Sequence, residues 1–242
     1  MKKYLINQQG DFMMKITQNS RMEVTKFMLA YKFALDEVGT KISILQEEFR
    51  LIHDYNPIEH VSKRIKSPAS ILKKIEKKNV PLRIGEVEAS IRDIAGIRIT
   101  CSFEEDIYRV SEMLQAQRDL EVVEIKDYIK QPKGNGYRSL HLIVKIPIFL
   151  SDREKFVPVE IQIRTIAMDF WASLEHKIYY KYNKDIPQHI KNGLKEAAEQ
   201  VNALDEKMDK LNEEINILKE RDEQHQADIN LSSLVEKLKN QQ

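Results

Sequence analysis

The stretch VPVEIQIRTIAMDFWASLEHKIYYKY, Val157–Tyr182, joins a strand to a helix and puts polar groups on both. Successive strand residues point to opposite faces, so Val157, Val159, Ile161 and Ile163 are expected in a core while Glu160, Gln162 and Arg164 project together. A carboxylate, an amide and a guanidinium in one row are costly to bury, which makes them the expected floor of an open polar site. Thr165 is placed to cap the helix, where Trp171, Leu174 and Ile178 recur at three-four spacing and predict packing back onto the strand. Asp169, Ser173 and His176 occupy another face. An ordinary amphipathic element with one solvated side is the competing interpretation.

The preceding strand, YRSLHLIVKI, alternates in the same way: Leu140, Leu142, Val144 and Ile146 face inward, and Tyr137, Ser139 and His141 share the other side. Ser151 to Lys155 is expected to turn it into the Val157 strand as an antiparallel hairpin. Before it, Pro132, Lys133, Gly134, Asn135 and Gly136 form a turn whose glycines permit backbone conformations closed to other residues. An aromatic, a hydroxyl and an imidazole beside that lysine suit a wall that stacks a base and binds phosphate. A half-exposed edge strand is the alternative. The sequence contains no Walker A motif.

Further upstream, AGIRITCSF predicts a core strand with Ile97, Ile99, Cys101 and Phe103 on one face, Arg98 on the other and Asp93 at its entry. A short helix over Gly85 to Ile91 leads into it, and LEVVEIKDYIK predicts another strand. IEHVSKRIK, Ile58 to Lys66, is a further short strand, after which Ser67 and Pro68 supply the N-cap and first position of the helix SPASILKKIEKK. Arg64, Lys66, Ser70, Lys73 and Lys74 gather at this turn, where free N–H groups and the helix dipole favour an anion. A solvated basic helix face would look the same.

Both ends are helical in pattern. Val24, Phe27, Met28, Tyr31, Leu35, Val38, Ile42, Leu45, Phe49 and Ile52 keep a three-four rhythm interrupted only by Gly39. His53 and Asp54 end this helix, and the further His and Asp ligands that an HD-type phosphohydrolase needs are not arranged nearby. Beyond Pro187, Ile190, Leu194, Ala197, Val201, Leu204, Met208, Leu211, Ile215 and Leu218 hold a heptad that fails near Asp222. The expected division is therefore a loosely ordered segment over 1–18, an N-terminal helix over 19–56, a core over 57–186, a heptad helix over 187–221 and a short-helical or disordered tail over 222–242.

With 39 Lys and Arg against 38 Asp and Glu in 242 residues, a net charge of +1 gives no global field for long nucleic acid or an anionic membrane. Val61–Thr100, by contrast, carries ten basic residues against four acidic ones. That local excess suits a small polyphosphate ligand. The single cysteine, Cys101, excludes an intramolecular disulfide framework and a cysteine-rich zinc site, and it fits a reducing cytoplasm. MKKYLINQQGDFMMK has no continuous apolar core of a signal peptide, and no segment approaches the roughly 20 apolar residues of a membrane span. A soluble, cytoplasmic protein is expected.

Brought together, these polar faces set two carboxylates, Asp93 and Glu160, on neighbouring strand positions between a basic turn and an aromatic wall. Two hard oxygen ligands with room for water and phosphate are what Mg²⁺ prefers. Phosphoryl-type transfer then needs positive charge on the donor phosphates and a base for the attacking hydroxyl, a role Glu160 is placed to take.

DIAGIRI, KGNGYRSLH and EIQIRT, in this order, resemble the synthetase domain of the RelA/SpoT family, which makes guanosine tetra- and pentaphosphate. The similarity runs from about Tyr31 to Lys219, and KSPASI, MDFWASLEHKIYYK and the short length resemble a stand-alone small alarmone synthetase of the RelP type. The resemblance implies an α+β, nucleotidyltransferase-like fold, with a mixed sheet of about five strands flanked by helices and long helices at both ends. It implies transfer of the β,γ-pyrophosphoryl group of ATP to the 3′-hydroxyl of GDP or GTP, releasing AMP.

By matching motif, Asp93 and Glu160 would hold Mg²⁺, with Glu160 also activating the 3′-hydroxyl. Arg64 and Arg98 would sandwich adenine, since guanidinium planes stack on aromatic rings, and Lys66, Ser70 and Lys74 would grip the ATP phosphates. Tyr137 would stack on guanine, and Lys133, His141, Gln162 and Lys126 would serve the acceptor nucleotide. Asp169 stands where some small relatives carry Asn, and its carboxylate would accept from guanine N1–H and the 2-amino group. A homotetramer built through the terminal helices is implied as well. Three rivals remain at this level: a related nucleotidyltransferase that moves AMP, an idle nucleotide- or RNA-binding relative, and a coiled-coil scaffold. The paired metal carboxylates disfavour the second, and the polar strand faces would have no purpose in the third.

Overall fold

The computed structural model describes residues 2–181 and 186–239, with side chains for 21–178 and 186–221. In chain order the elements are α1 (Lys2–Ile52), β1 (Ile58–Ile65), α2 (Pro68–Lys78), α3 (Ile84–Ser90), β2 (Ala95–Cys101), α4 (Glu104–Gln115), β3 (Glu121–Asp127), β4 (Leu140–Phe149), β5 (Glu154–Thr165), α5 (Ile166–Lys181) and α6 (Gln188–Lys239). The expectations for 1–18 and for the tail from 222 fall on positions whose side chains lie outside the described residues. Two compact units divide the chain, Met1–Asp169 and Phe170–Gln242.

In the first unit the strands form one sheet in the order β1-β2-β5-β4-β3, with β2 and β5 parallel and the other pairs antiparallel. The fold is α+β with a mixed five-stranded sheet, as the alternating pattern predicts. The β4–β5 hairpin forms in full, pairing Leu140 with Ile163 at one end and Phe149 with Glu154 at the other. The edges of the sheet are β1 and β3, so the edge-strand alternative for β4 does not hold.

Strand alternation builds the core directly: Val157, Val159, Ile161 and Ile163 are all buried, as are Ile97, Ile99 and Cys101 of the parallel neighbour. Each such side chain contributes about 1.5–3 kcal/mol by leaving water. Helix α1 touches β1, β2, β4 and β5, and buries Phe27, Tyr31, Leu35, Val38, Ile42 and Phe49. Val24 and Ile52, at the ends of the expected stripe, are exposed, because the apolar rhythm outruns what the helix covers. At Gly39, which interrupts the rhythm, the end of the flexible Lys63 side chain of β1 lies where a Cβ would stand, with Nζ 2.0 Å away.

At the start of α5 the Met168 N–H donates to Thr165 Oγ1 at 3.1 Å, as a cap requires. In the second unit Trp171 is buried and its indole donates to the Leu194 carbonyl at 2.9 Å. Leu174 and Ile178 are 41% and 42% exposed, so the packing stripe expected of α5 is buried only at Trp171. Along α6, Leu204, Met208, Leu211, Ile215 and Leu218 keep their heptad spacing and are exposed.

Candidate active site

Strand register gathers the polar residues on one sheet face. Arg64 lies opposite Gly96, Arg98 opposite both Ser62 and Gln162, Gln162 opposite His141, and Glu160 opposite Gly96 and Ile143. A cavity of about 220 Å³ opens there, lined by Ser62, Arg64, Gly96, Arg98, Glu160 and Gln162. At Gly96 the Arg64 side chain lies over the strand, its Nε 3.6 Å from where a Cβ would stand, an ordinary van der Waals distance.

Asp93, in the segment leading into β2, joins the basic turn to this face. Its Oδ2 accepts from Lys66 Nζ at 2.6 Å and from Lys74 Nζ at 2.5 Å. Burial alone would raise the Asp93 carboxyl, but the two ammonium groups outweigh it and hold the group below the ordinary carboxylate range. Ser67 caps α2, accepting from the Ser70 N–H at 3.3 Å, and the two hydroxyls lie 2.9 Å apart. Ser70 is thus exposed and tied to the cap in this conformation.

On β5 three side chains form a chain: Gln162 Nε2 donates to Glu160 Oε2 at 2.9 Å, and Arg164 Nη2 donates to Gln162 Oε1 at 2.6 Å. Burial would raise the Glu160 carboxyl, yet the His141 imidazole and Gln162 hold it low, while the charge of Asp93 pushes the other way. The charge of Asp93 thus reaches Glu160, 67 positions on in sequence. The expectation of an open polar floor fails at Arg164, which is only 2% exposed. Its charge is accommodated by polar neighbours: Nη2 donates to Tyr137 Oη at 3.4 Å and Nη1 lies 3.5 Å from Asp169 Oδ1.

The aromatic wall is present, and Tyr128 joins it. Tyr137 Oη and His141 Nε2 are 2.8 Å apart, and Lys133 Nζ stands 4.6 Å from the Tyr137 ring centre and 4.4 Å from that of Tyr128. Tyr128 packs edge-on to His141 at 5.1 Å. Its place was hidden because it follows the end of β3, where Asp127 Oδ1 caps a turn by accepting from Ile129 N–H and Lys130 N–H. The Tyr128 N–H donates to Ser139 O at 3.0 Å, a long-range contact with no local signature. Ser139 does not join the wall as expected: it is fully buried and its hydroxyl donates to the Ile163 carbonyl at 3.0 Å. Lys126 lies in register opposite His141, exposed and paired with Glu124 at 3.2 Å. Asp169 closes the group, with Oδ1 3.1 Å from Arg98 Nη1.

Among the described residues no cluster of three or more His, Cys, Asp or Glu side chains could hold a metal. The pair Asp93 and Glu160 nevertheless suits a hard cation that keeps most of its ligands from water and phosphate. Asp93 Oδ1 is buried with no hydrogen-bond partner, an oxygen in want of a positive ligand.

The mixed five-stranded α+β fold matches structures of small alarmone synthetases. The Bacillus subtilis small alarmone synthetase 2 superposes with a TM-score of 0.71 at 53% identity, covering 77% of this chain and 96% of that one. Small alarmone synthetase 1 of the same organism, bound to its product pppGpp, gives a TM-score of 0.75 at 43% identity, covering 80% and 98%. The chain belongs to the RelA/SpoT family: residues 63–185 match the family described as "Region found in RelA / SpoT proteins". The Bacillus subtilis (strain 168) GTP pyrophosphokinase YwaC is 56% identical over 181 residues, which is 75% of this chain and 86% of that protein.

Proposed function

We propose that this protein is a GTP pyrophosphokinase that makes (p)ppGpp, moving the β,γ-pyrophosphoryl group of ATP to the 3′-hydroxyl of GDP or GTP. The observation that carries the reading is the pairing of Asp93 with Lys66 and Lys74 at one turn, and of Glu160 with His141, itself bonded to Tyr137, on the polar sheet face. The likeness to GTP pyrophosphokinase YwaC supports it.

In this reading Asp93 and Glu160 hold Mg²⁺, which when bound neutralises charge on the transferring phosphoryl oxygens. Lys66 and Lys74, already beside Asp93, turn to the ATP phosphates with Ser70. Arg64 and Arg98 present guanidinium planes to adenine across the cavity above Gly96. Tyr137 stacks on guanine, Asp169 accepts from its N1–H and 2-amino group, and Lys133, His141, Lys126 and Gln162 hold and orient the acceptor. Glu160, kept ionised by His141 and Gln162, takes the 3′-hydroxyl proton as that oxygen attacks the β-phosphorus. The bond from the β-phosphorus to the α,β-bridging oxygen breaks, and AMP leaves with that oxygen.

The exposed heptad of α6 offers a helix–helix contact between copies, which supports a homotetramer. Among the described residues no helix is long and apolar enough to cross a membrane, and the lone buried thiol of Cys101 suits a cytoplasmic setting.

The test is incubation of purified protein with Mg²⁺, γ-labelled ATP and GDP or GTP. Label arriving on a 3′-pyrophosphorylated guanine nucleotide with equal AMP supports the assignment, and pyrophosphate release points instead to nucleotidyl transfer. Glu160→Gln should lower kcat by about 10²–10⁴-fold while leaving the melting temperature near that of the parent protein.

A further inference from the structure

A second and larger cavity, of about 360 Å³, lies on the stretch of β5 that β2 does not reach. Arg92 after α3, Lys145 of β4 and Lys155 of β5 bring three cations to its wall, and Glu88 brings one carboxylate. Glu88 is already engaged by Lys155. Among the described residues Arg92 and Lys145 pair loosely with Glu124 and Glu121, each at 3.9 Å, beyond hydrogen-bond length. Their donors are therefore open to a ligand.

The rest of the wall is apolar: Ile143 is buried, and Phe156 and Pro158 offer ring surface. Tyr31, from α1, is part of this wall, 1% exposed, and its buried hydroxyl has no hydrogen-bond partner. Burial, and then the charge of Glu88, raise its pKa, so it stays a donor at all ordinary pH. A buried donor with nothing to receive it is costly, and few are tolerated without a ligand or water.

We propose that this cavity is a second ligand site, taking a small phosphate monoester with a planar apolar body. Three cations on the wall face one carboxylate there, and Glu124 and Glu121, outside the lining, stand 3.9 Å from Arg92 and Lys145, so a phosphate approaching roughly −2 near neutral pH can draw both cations to itself. The apolar half matches a ring, and the volume lies at the small end of the roughly 300–1,000 Å³ of ligand pockets. The site is coupled to the candidate active site by covalent adjacency. Arg92 precedes Asp93, and Pro158 lies two residues before Glu160 on the same strand face. A ligand drawing Arg92 and Lys145 inward thus acts on the segment that carries Asp93 and on the strand paired with that of Glu160.

Binding here does not depend on the pyrophosphoryl-transfer reading; only its effect on turnover rests on that reading. Phenyl phosphate is the probe, titrated calorimetrically into the full chain with excess ATP analogue and GDP present. Saturable binding of one molecule per chain is expected, weakened at least tenfold by Lys145→Gln or Arg92→Gln and several-fold by Tyr31→Phe, with circular dichroism unchanged. Absence of saturable binding, or binding indifferent to Lys145→Gln, overturns the site, and inorganic phosphate binding as tightly overturns the aromatic part. Turnover should shift with phenyl phosphate in the parent protein and not in Lys145→Gln. An unshifted rate, with binding intact, overturns the coupling alone.

Discussion

Asp169 Oδ1 lies 3.1 Å from Arg98 Nη1, so the carboxylate assigned to guanine is held by the guanidinium assigned to adenine. Neither group is satisfied by the contact, since Asp169 Oδ1 and Arg98 Nε both lack a well-directed hydrogen bond. In the pyrophosphoryl-transfer reading proposed above, this contact would link the two nucleotide sites, and a substrate engaging one partner would free the other.

Asp169→Ala should therefore separate the two substrates. Losing hydrogen bonds to a charged acceptor costs about 1.5–3 kcal/mol, so discrimination of guanine from adenine acceptors should fall roughly 10–100-fold. The KM for ATP should stay level or drop, because Arg98 is freed. Initial rates with paired guanine and adenine acceptors measure this, and unchanged discrimination refutes the role given to Asp169.

Arg164 is 2% exposed and meets the candidate site through its neighbours. Buried, it orders Tyr137, Gln162 and Asp169 at once. Arg164→Ala should destabilise the fold by about 3–5 kcal/mol in denaturant titrations, as removing one member of a buried charged network does. Arg164→Lys keeps the charge and loses the planar fork, so the KM of the acceptor should rise more than that of ATP.

The glycine turn allows a comparison with an internal control. Gly136 has φ 88° and donates to Lys133 O at 2.8 Å, setting the distance between Lys133 and Tyr137. Gly136→Ala should cost about 1–2 kcal/mol and weaken acceptor binding. Gly134 has nothing within 4 Å of a built Cβ, so Gly134→Ala should fold and bind nearly as the parent does. Equal thermal shifts in the two variants would contradict the turn's role.

Asp93 carries a pH dependence of definite sign. Its carboxyl is lowered in the fold, with Lys66 and Lys74 outweighing burial, so it stabilises the protein above its unfolded value of about 3.9. That contribution is lost as pH falls through the lower, folded value. The stability gap between the parent protein and Asp93→Asn should be full near neutrality and close below about pH 4. Chemical unfolding at stepped pH measures it, and a gap that widens on acidification rules out the lysine pairing as its source.

The strands, their alternation and the caps at Ser67 and Thr165 were legible along the chain, because each depends on neighbours one to four residues away. So was the sharing of one strand face by Glu160 and Gln162, which a period of two dictates. Tyr128 was not legible, since it is placed by the Ser139 carbonyl across a loop. The burial of Arg164 and the grip of Arg98 on Asp169 were equally hidden: whether a polar side chain ends in water or in a network depends on residues that strand order brings alongside. Local pattern therefore specified which groups point the same way, while long-range packing settled which of them meet, because hydrogen-bond partners and desolvation are properties of the assembled sheet.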